Sequence, residues 1–93
     1  MPLISNEKKE RISEQILEYL FSISPGAEFT SRISKEIARD EEFTKKLLGN
    51  LNKKGILTKI KKNKKGVDYS RRERWRLSEK TYQIYRKHQH NNL

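Results

Sequence analysis

A single change of hydrophobic period, at Gly55, narrows the possible folds of this chain more than any other feature. Upstream, Phe43, Leu47, Leu48 and Leu51 recur at the spacing of one helix face. Downstream, Ile56, Thr58 and Ile60 alternate with Leu57, Lys59 and Lys61, which is the period of a strand. Asp40 is a natural cap for the helix, and Glu41 and Glu42 suit the positive end of its dipole. Gly55 follows Lys53 and Lys54, where a residue free to turn left-handed ends a helix. A helix over residues 41–54 therefore runs straight into a strand over 56–62, and the fold class is mainly α with a small β-sheet.

The remaining elements arrange themselves around that junction. Ile12, Ile16, Leu17, Leu20 and Phe21 form the apolar stripe of a first helix from Asn6 to about Ser22, capped by Ser5 or Asn6 and stopped by Ser24, Pro25 and Gly26. Ala27 to Phe29 is a short extended piece. Thr30 or Ser31 offers a capping oxygen to a second helix, which carries Ile33, Ile37 and Ala38 and runs to Arg39. After a turn at Asn63 to Gly66, a second strand over 70–77 places Arg72, Arg74 and Arg76 on one face and Arg71, Glu73, Trp75 and Leu77 on the other. Ser78 caps a last helix carrying Thr81, Tyr82, Ile84, Tyr85 and His88. The expected order is α1-β1-α2-α3-β2-turn-β3-α4 in one domain over residues 1–93, with 1–5 and 89–93 frayed.

Composition says what such a domain is for. Apolar residues make up 32% of the chain, below the usual level of about 45–50%, so the core is thin and the surface heavily charged. The net charge is +10. Between Lys59 and Arg76 nine basic residues face only Asp68 and Glu73, a net +7, whereas residues 1–40 hold six basic and seven acidic groups, a net −1. The excess sits on the hairpin, and such an excess matches nucleic acid or an anionic membrane surface. A chain without cysteine makes no disulfide and no thiolate zinc site, and no segment nears the roughly 20 apolar residues of a membrane span. A soluble, cytoplasmic protein is expected, with no signal peptide at Met1 to Glu10.

The element order resembles the winged helix-turn-helix DNA-binding domains of small bacterial and archaeal transcriptional regulators. The resemblance rests on Thr30 to Ala38, on Leu48, Leu51, Gly55, Ile56 and Leu57, and on the step Trp75, Arg76, Leu77, Ser78 that returns the hairpin into the last helix. It implies that the third helix enters the major groove of double-stranded DNA and that the hairpin, the wing, lies on the adjacent backbone or minor groove.

Residue chemistry is compatible with that arrangement. A third helix that buries Phe43, Thr44, Leu47, Leu48 and Leu51 turns Glu42, Lys45, Lys46, Gly49 and Lys53 outward, with Asn50 and Asn52 at the flanks. Lysine donates to guanine edges or phosphate and asparagine pairs with adenine, although a plain solvated face has the same composition. Gly49 costs about 1 kcal/mol relative to alanine in a helix interior, and close approach to nucleic acid would account for it. Glu41 and Glu42 depart from the family's small or basic residues at this place; helix-end stabilisation explains them better than a bond from cytosine to Glu42. On the wing, Lys59, Lys61, Lys62, Lys64, Lys65, Arg71, Arg72 and Arg74 form a phosphate clamp, with Tyr69 near the tip. Ser31, Arg32, Lys35 and Arg39 of the second helix face phosphate unless the basic residues are paired with Glu36 or Asp40. Trp75 is expected in the core against the third helix.

Catalytic chemistry has no foothold. His88 and His90 stand two residues apart with no ligand set, no serine has a base, and no glycine-rich phosphate loop occurs, so no enzyme, metal or cofactor is expected. RNA, an acidic protein partner, or a role in replication or the nucleoid would suit the same basic wing. A homodimer through the first and last helices, using Tyr82, Ile84 and Tyr85, competes with packing of the last helix on its own core. No small-molecule effector site is evident.

Overall fold

The computed structural model describes residues 5–61 and 73–91, with side chains through residue 88. Its elements are α1 (Asn6–Ile23), β1 (Glu28–Phe29), α2 (Thr30–Glu36), α3 (Glu41–Lys53), β2 (Leu57–Ile60), β3 (Arg74–Leu77) and α4 (Glu79–Asn91), in the expected order. The helix starts follow the side-chain chemistry. Ser5 caps α1 by accepting from the Lys8 amide, and Asp40 Oδ2 caps α3 by accepting from the Phe43 amide at 3.0 Å.

Both inner helices end in the same device. At α3 the Ile56 amide donates to the Leu51 carbonyl and the Gly55 amide to the Asn52 carbonyl, with Gly55 left-handed at φ +79°. At α2 the Arg39 amide reaches Ser34 and the Ala38 amide reaches Lys35, with Ala38 left-handed at φ 54°. These are paired reversals that satisfy the last carbonyls of a helix. The second explains why α2 stops at Glu36 and not at Arg39: alanine occupies a position usually held by glycine, so composition carries no mark of the stop.

β3 is the middle strand of an antiparallel sheet ordered β1-β3-β2. Its register pairs Leu57 with Leu77, Thr58 with Arg76, Lys59 with Trp75 and Ile60 with Arg74 on one side, and Glu28 with Trp75 on the other. Paired residues share a face, so Leu57, Lys59, Trp75 and Leu77 look inward while Phe29, Thr58, Ile60, Arg74 and Arg76 look outward. An amide of Ser78 donating to the Ile56 carbonyl carries the ladder to the foot of α4, where Ser78 Oγ accepts from the Thr81 amide. β2 begins one residue later than expected because Ile56 is taken up in the reversal, and it ends at Ile60; residue 62 of the expected first strand and residues 70–72 of the expected second lie outside the described residues.

The core joins Ile12, Ile16 and Leu20 of α1, Ile33 and Ile37 from α2 and its cap, Leu47, Leu48 and Leu51 of α3, and Leu57, Trp75 and Leu77 of the sheet. Trp75 is 1% exposed, and its indole Nε1 donates to Thr30 Oγ1 at 2.8 Å. The Thr30 hydroxyl thus serves the core and does not cap α2, whose N-cap, Phe29, makes no side-chain capping bond. β3 packs on α1, and the tryptophan's polar tie is to α2, not to the third helix. Thr30→Val keeps the shape but strands a buried indole N–H; we expect a loss of about 1–3 kcal/mol in chemical denaturation, against a small effect for Ser31→Ala.

Candidate nucleic-acid interface

α3 has two distinct sides. Thr44, Leu47, Leu48 and Leu51 are buried, and the Thr44 hydroxyl is satisfied by donating to the Asp40 carbonyl at 2.8 Å. Residues spaced four, three and four apart on the opposite side form a ridge: Glu42, Lys46, Gly49 and Lys53. Its charged members are exposed, as is Lys45 beside it. Asn50 is exposed on the flank towards α1, where it lines a shallow groove with Asn6 and Lys9. Asn52, on the other flank, is half-buried and its Nδ2 donates to the Leu57 carbonyl at 2.9 Å. That bond fastens α3 to β2, so the structure gives Asn52 a positioning task among the expected groove-reading residues.

The described part of the wing divides in the same way. Lys59 is turned to the inner face of the sheet, its Nζ 3.8 Å from Glu73 Oε1 and 5.6 Å from the centre of the Trp75 ring. Strand alternation dictates this, since Lys59 stands opposite Trp75. Arg74 is half-buried on the outer face, its guanidinium 5.9 Å from the Phe29 ring. Lys61 is exposed. Lys62, Lys64, Lys65, Tyr69, Arg71 and Arg72 lie outside the described residues.

On α2, Ser31, Arg32 and Lys35 are all exposed. Arg32 Nε lies 4.0 Å from Glu36 Oε1, an exposed pair that contributes little to stability and leaves the guanidinium open to exchange. Behind it, the Tyr19 hydroxyl of α1 donates to Glu28 Oε2 at 3.2 Å. Burial, then the Glu28 carboxylate, push the Tyr19 pKa up, so the phenol stays a donor and holds α1 to the sheet edge.

α4 packs on its own chain. Phe21 of α1 lies 5.6 Å from the ring of Tyr82 and 5.7 Å from that of Tyr85. Burial, followed by Glu18 and Glu14, raises the Tyr85 pKa. Two of the three residues expected at a dimer contact are therefore engaged within the monomer, and Ile84, 57% exposed, is left outside. Sequence reasoning passed over Lys54 as a site residue, although it is exposed at the α3 cap and borders the same groove as Asn50. The pair of lysines before Gly55 was its signal. Among the described residues no group of His, Cys, Asp or Glu could hold a metal ion, and no helix is long and apolar enough to cross a membrane.

No family model and no curated protein sequence matches the chain. Solved structures do. A mutant of MepR from a multidrug-resistant S. aureus clinical isolate matches 90% of this chain with a TM-score of 0.60 at 19% identity. Two mutants of Lactococcus lactis ZitR match 92% and 95% of it, with TM-scores of 0.62 and 0.61 at 14% and 16% identity. This chain has the winged helix-turn-helix fold. It spans 54–62% of the length of those chains. In winged-helix terms, α2 and α3 are the helix-turn-helix, and β2 and β3 are the base of the wing.

Because Lys59 braces the sheet and Lys61 does not, the two should separate experimentally. Lys59→Ala should lower stability by about 1 kcal/mol through loss of the ion pair and the ring contact. Lys61→Ala should leave stability within about 0.5 kcal/mol. On duplex DNA, Lys61→Ala should reduce the slope of log affinity against log salt by about 1, and Lys59→Ala should leave that slope unchanged.

Proposed function

We propose that the chain is a double-stranded DNA-binding protein acting as a transcriptional regulator, with α3 in the major groove and the wing of residues 59–76 on the backbone or minor groove. The observation that carries the reading is the outward ridge of α3: after Glu42 at its start, Lys46, Gly49 and Lys53, with Lys45 beside them, stand on a helix whose other side is committed to the core. A positively charged helix face held rigidly by a packed scaffold is what major-groove entry requires. The concentration of a net +7 on residues 59–76 supplies the complementary electrostatic term. MepR and ZitR are MarR-family transcriptional regulators, which favours regulation over the other uses of a DNA-binding winged helix. The neighbours are regulators and not enzymes, and a binding role without catalysis is proposed here too.

Within this reading Lys45, Lys46 and Lys53 meet base edges or the groove wall, with Asn50 at the margin, and Ser31, Arg32 and Lys35 meet phosphate. The wing residues Lys61, Lys62, Lys64, Lys65, Arg71, Arg72 and Arg74 add phosphate contacts, and Tyr69 touches sugar or base. With six to ten phosphates engaged, affinity for duplex should fall about 10³- to 10⁵-fold between 50 and 200 mM salt. A titration at the two salt concentrations on duplex, single strand and structured RNA tests this. A flat salt response removes the reading, and a preference for RNA replaces it with the RNA-binding alternative.

A homodimer through α1 and α4 belongs to the same proposal. Ile84 is exposed between Lys80 and Lys87 on one row of α4, and Glu7, Glu10, Glu14 and Glu18 form an exposed acidic row along α1. An apolar knob flanked by lysines suits the acidic row of a second copy. Ile84→Glu should convert a dimer into a monomer in sedimentation, with the unfolding temperature preserved; a monomeric wild-type chain would refute the dimer.

A further inference from the structure

Gly49 stands at the middle of the outward ridge of α3, between Lys46 and Lys53. Three structural reasons for a glycine there are absent. The residue lies inside the continuous helix Glu41–Lys53, and Gly55, not Gly49, is the glycine with a positive φ in this part of the chain. A Cβ built at Gly49 meets nothing within 4 Å, so no neighbouring element needs the space. The position is also no helix end, since Lys54 and Gly55 carry out the reversal. Glycine there weakens the helix through backbone freedom without any gain inside the folded monomer.

We infer that Gly49 sets the depth to which α3 enters the major groove: the bare backbone between Lys46 and Lys53 is the point of closest approach to the base edges. The inference rests on the DNA-binding reading above and adds to it a residue that determines fit. Lysines at either end of the notch reach past it to acceptors, and their long stems allow the helix backbone itself to come down between them. A methyl group at Gly49 would occupy the space that a base edge fills. Since proteins and duplexes both pack densely at a specific contact, that methyl would hold the helix away.

The test uses Gly49→Ala and Gly49→Leu in the full chain. Their unfolding temperatures are compared with wild type, and their binding is measured on a short duplex that the wild-type chain enriches from a randomised pool. Gly49→Ala should unfold about 4–8 °C higher. It should nevertheless bind that duplex about tenfold or more weakly, with a larger loss for Gly49→Leu. The slope of log affinity against log salt should stay at its wild-type value, because phosphate contacts lie elsewhere. Equal or tighter binding by Gly49→Ala overturns the inference, as does a lower unfolding temperature, which would make the glycine a structural requirement. A reduced salt slope also overturns it, since the methyl would then have displaced phosphate contacts. If wild type enriches no duplex and binds none, the DNA-binding reading itself falls; if wild type binds and Gly49→Ala binds as well, only the depth assignment falls.

Discussion

The bond from Trp75 Nε1 to Thr30 Oγ1 is the constraint on which the rest of the structure hangs. It joins the middle strand of the sheet to the first turn of α2 inside a core that contains few large side chains. Trp75 is the largest of the fully buried residues, and a buried indole N–H without an acceptor would be costly. Threonine at the start of α2 supplies that acceptor while its backbone amide donates to the Glu73 carbonyl, one residue before β3. Two bonds thereby hold the start of α2 on the sheet. Since α3 packs on α2 and follows it after a four-residue turn, the orientation of the ridge on α3 descends from this contact.

A thin core also explains why so much charge is used structurally. On the inner face of the sheet the apolar row Leu57, Trp75 and Leu77 ends at Lys59, whose stem continues the apolar surface while its ammonium reaches Glu73. On the outer face Arg74 spreads over Phe29. Lys59 and Arg74 at the base of the wing thus extend the apolar surface of the sheet. Part of the net +7 of residues 59–76 is therefore engaged in bracing, and a count of charges would overstate the share open to the proposed DNA contact.

The elements were legible in the sequence wherever side-chain chemistry and periodicity agree. Asp40, Ser5, Gly55 and Ser78 each mark an end that the structure places within a residue or two, because caps and reversals demand particular side chains. The stop of α2 was not legible, since Ala38 adopts a left-handed conformation within the reversal that satisfies the Lys35 and Ser34 carbonyls, and alanine does not advertise it. Pairing was harder still. β1 is two residues long, too short for any period, and exists because β3 offers it a partner. For the candidate site, the outward ridge of α3 followed from helical spacing alone. Asn52 did not, because its bond to Leu57 depends on how β2 returns beside the helix end. Lys59 follows the same logic: alternation placed it beside Leu57, but only the register with β3 sets it against Trp75.

These placements separate two properties that are often combined in a basic protein. Charge-driven affinity depends on the number of cations near phosphate and tolerates their movement, so a projecting hairpin suits it. Discrimination among base pairs depends on fixed distances, which need a helix that cannot rotate or slide. α3, the helix proposed for that task, is held from three sides: Asn52 ties it to β2, Asp40 fixes its start, and Thr44, Leu47, Leu48 and Leu51 seat it on the core. Glu41 and Glu42 fit the same division. Carboxylates at the first turn strengthen the helix through its dipole, and in the proposed complex they would oppose phosphate at the start of α3. With +10 charges on the chain, the proposed complex would gain little from one more phosphate contact and much from refusing the wrong orientation. In the proposed DNA-binding mode, the acidic start of α3 would act by exclusion where the wing would act by attraction.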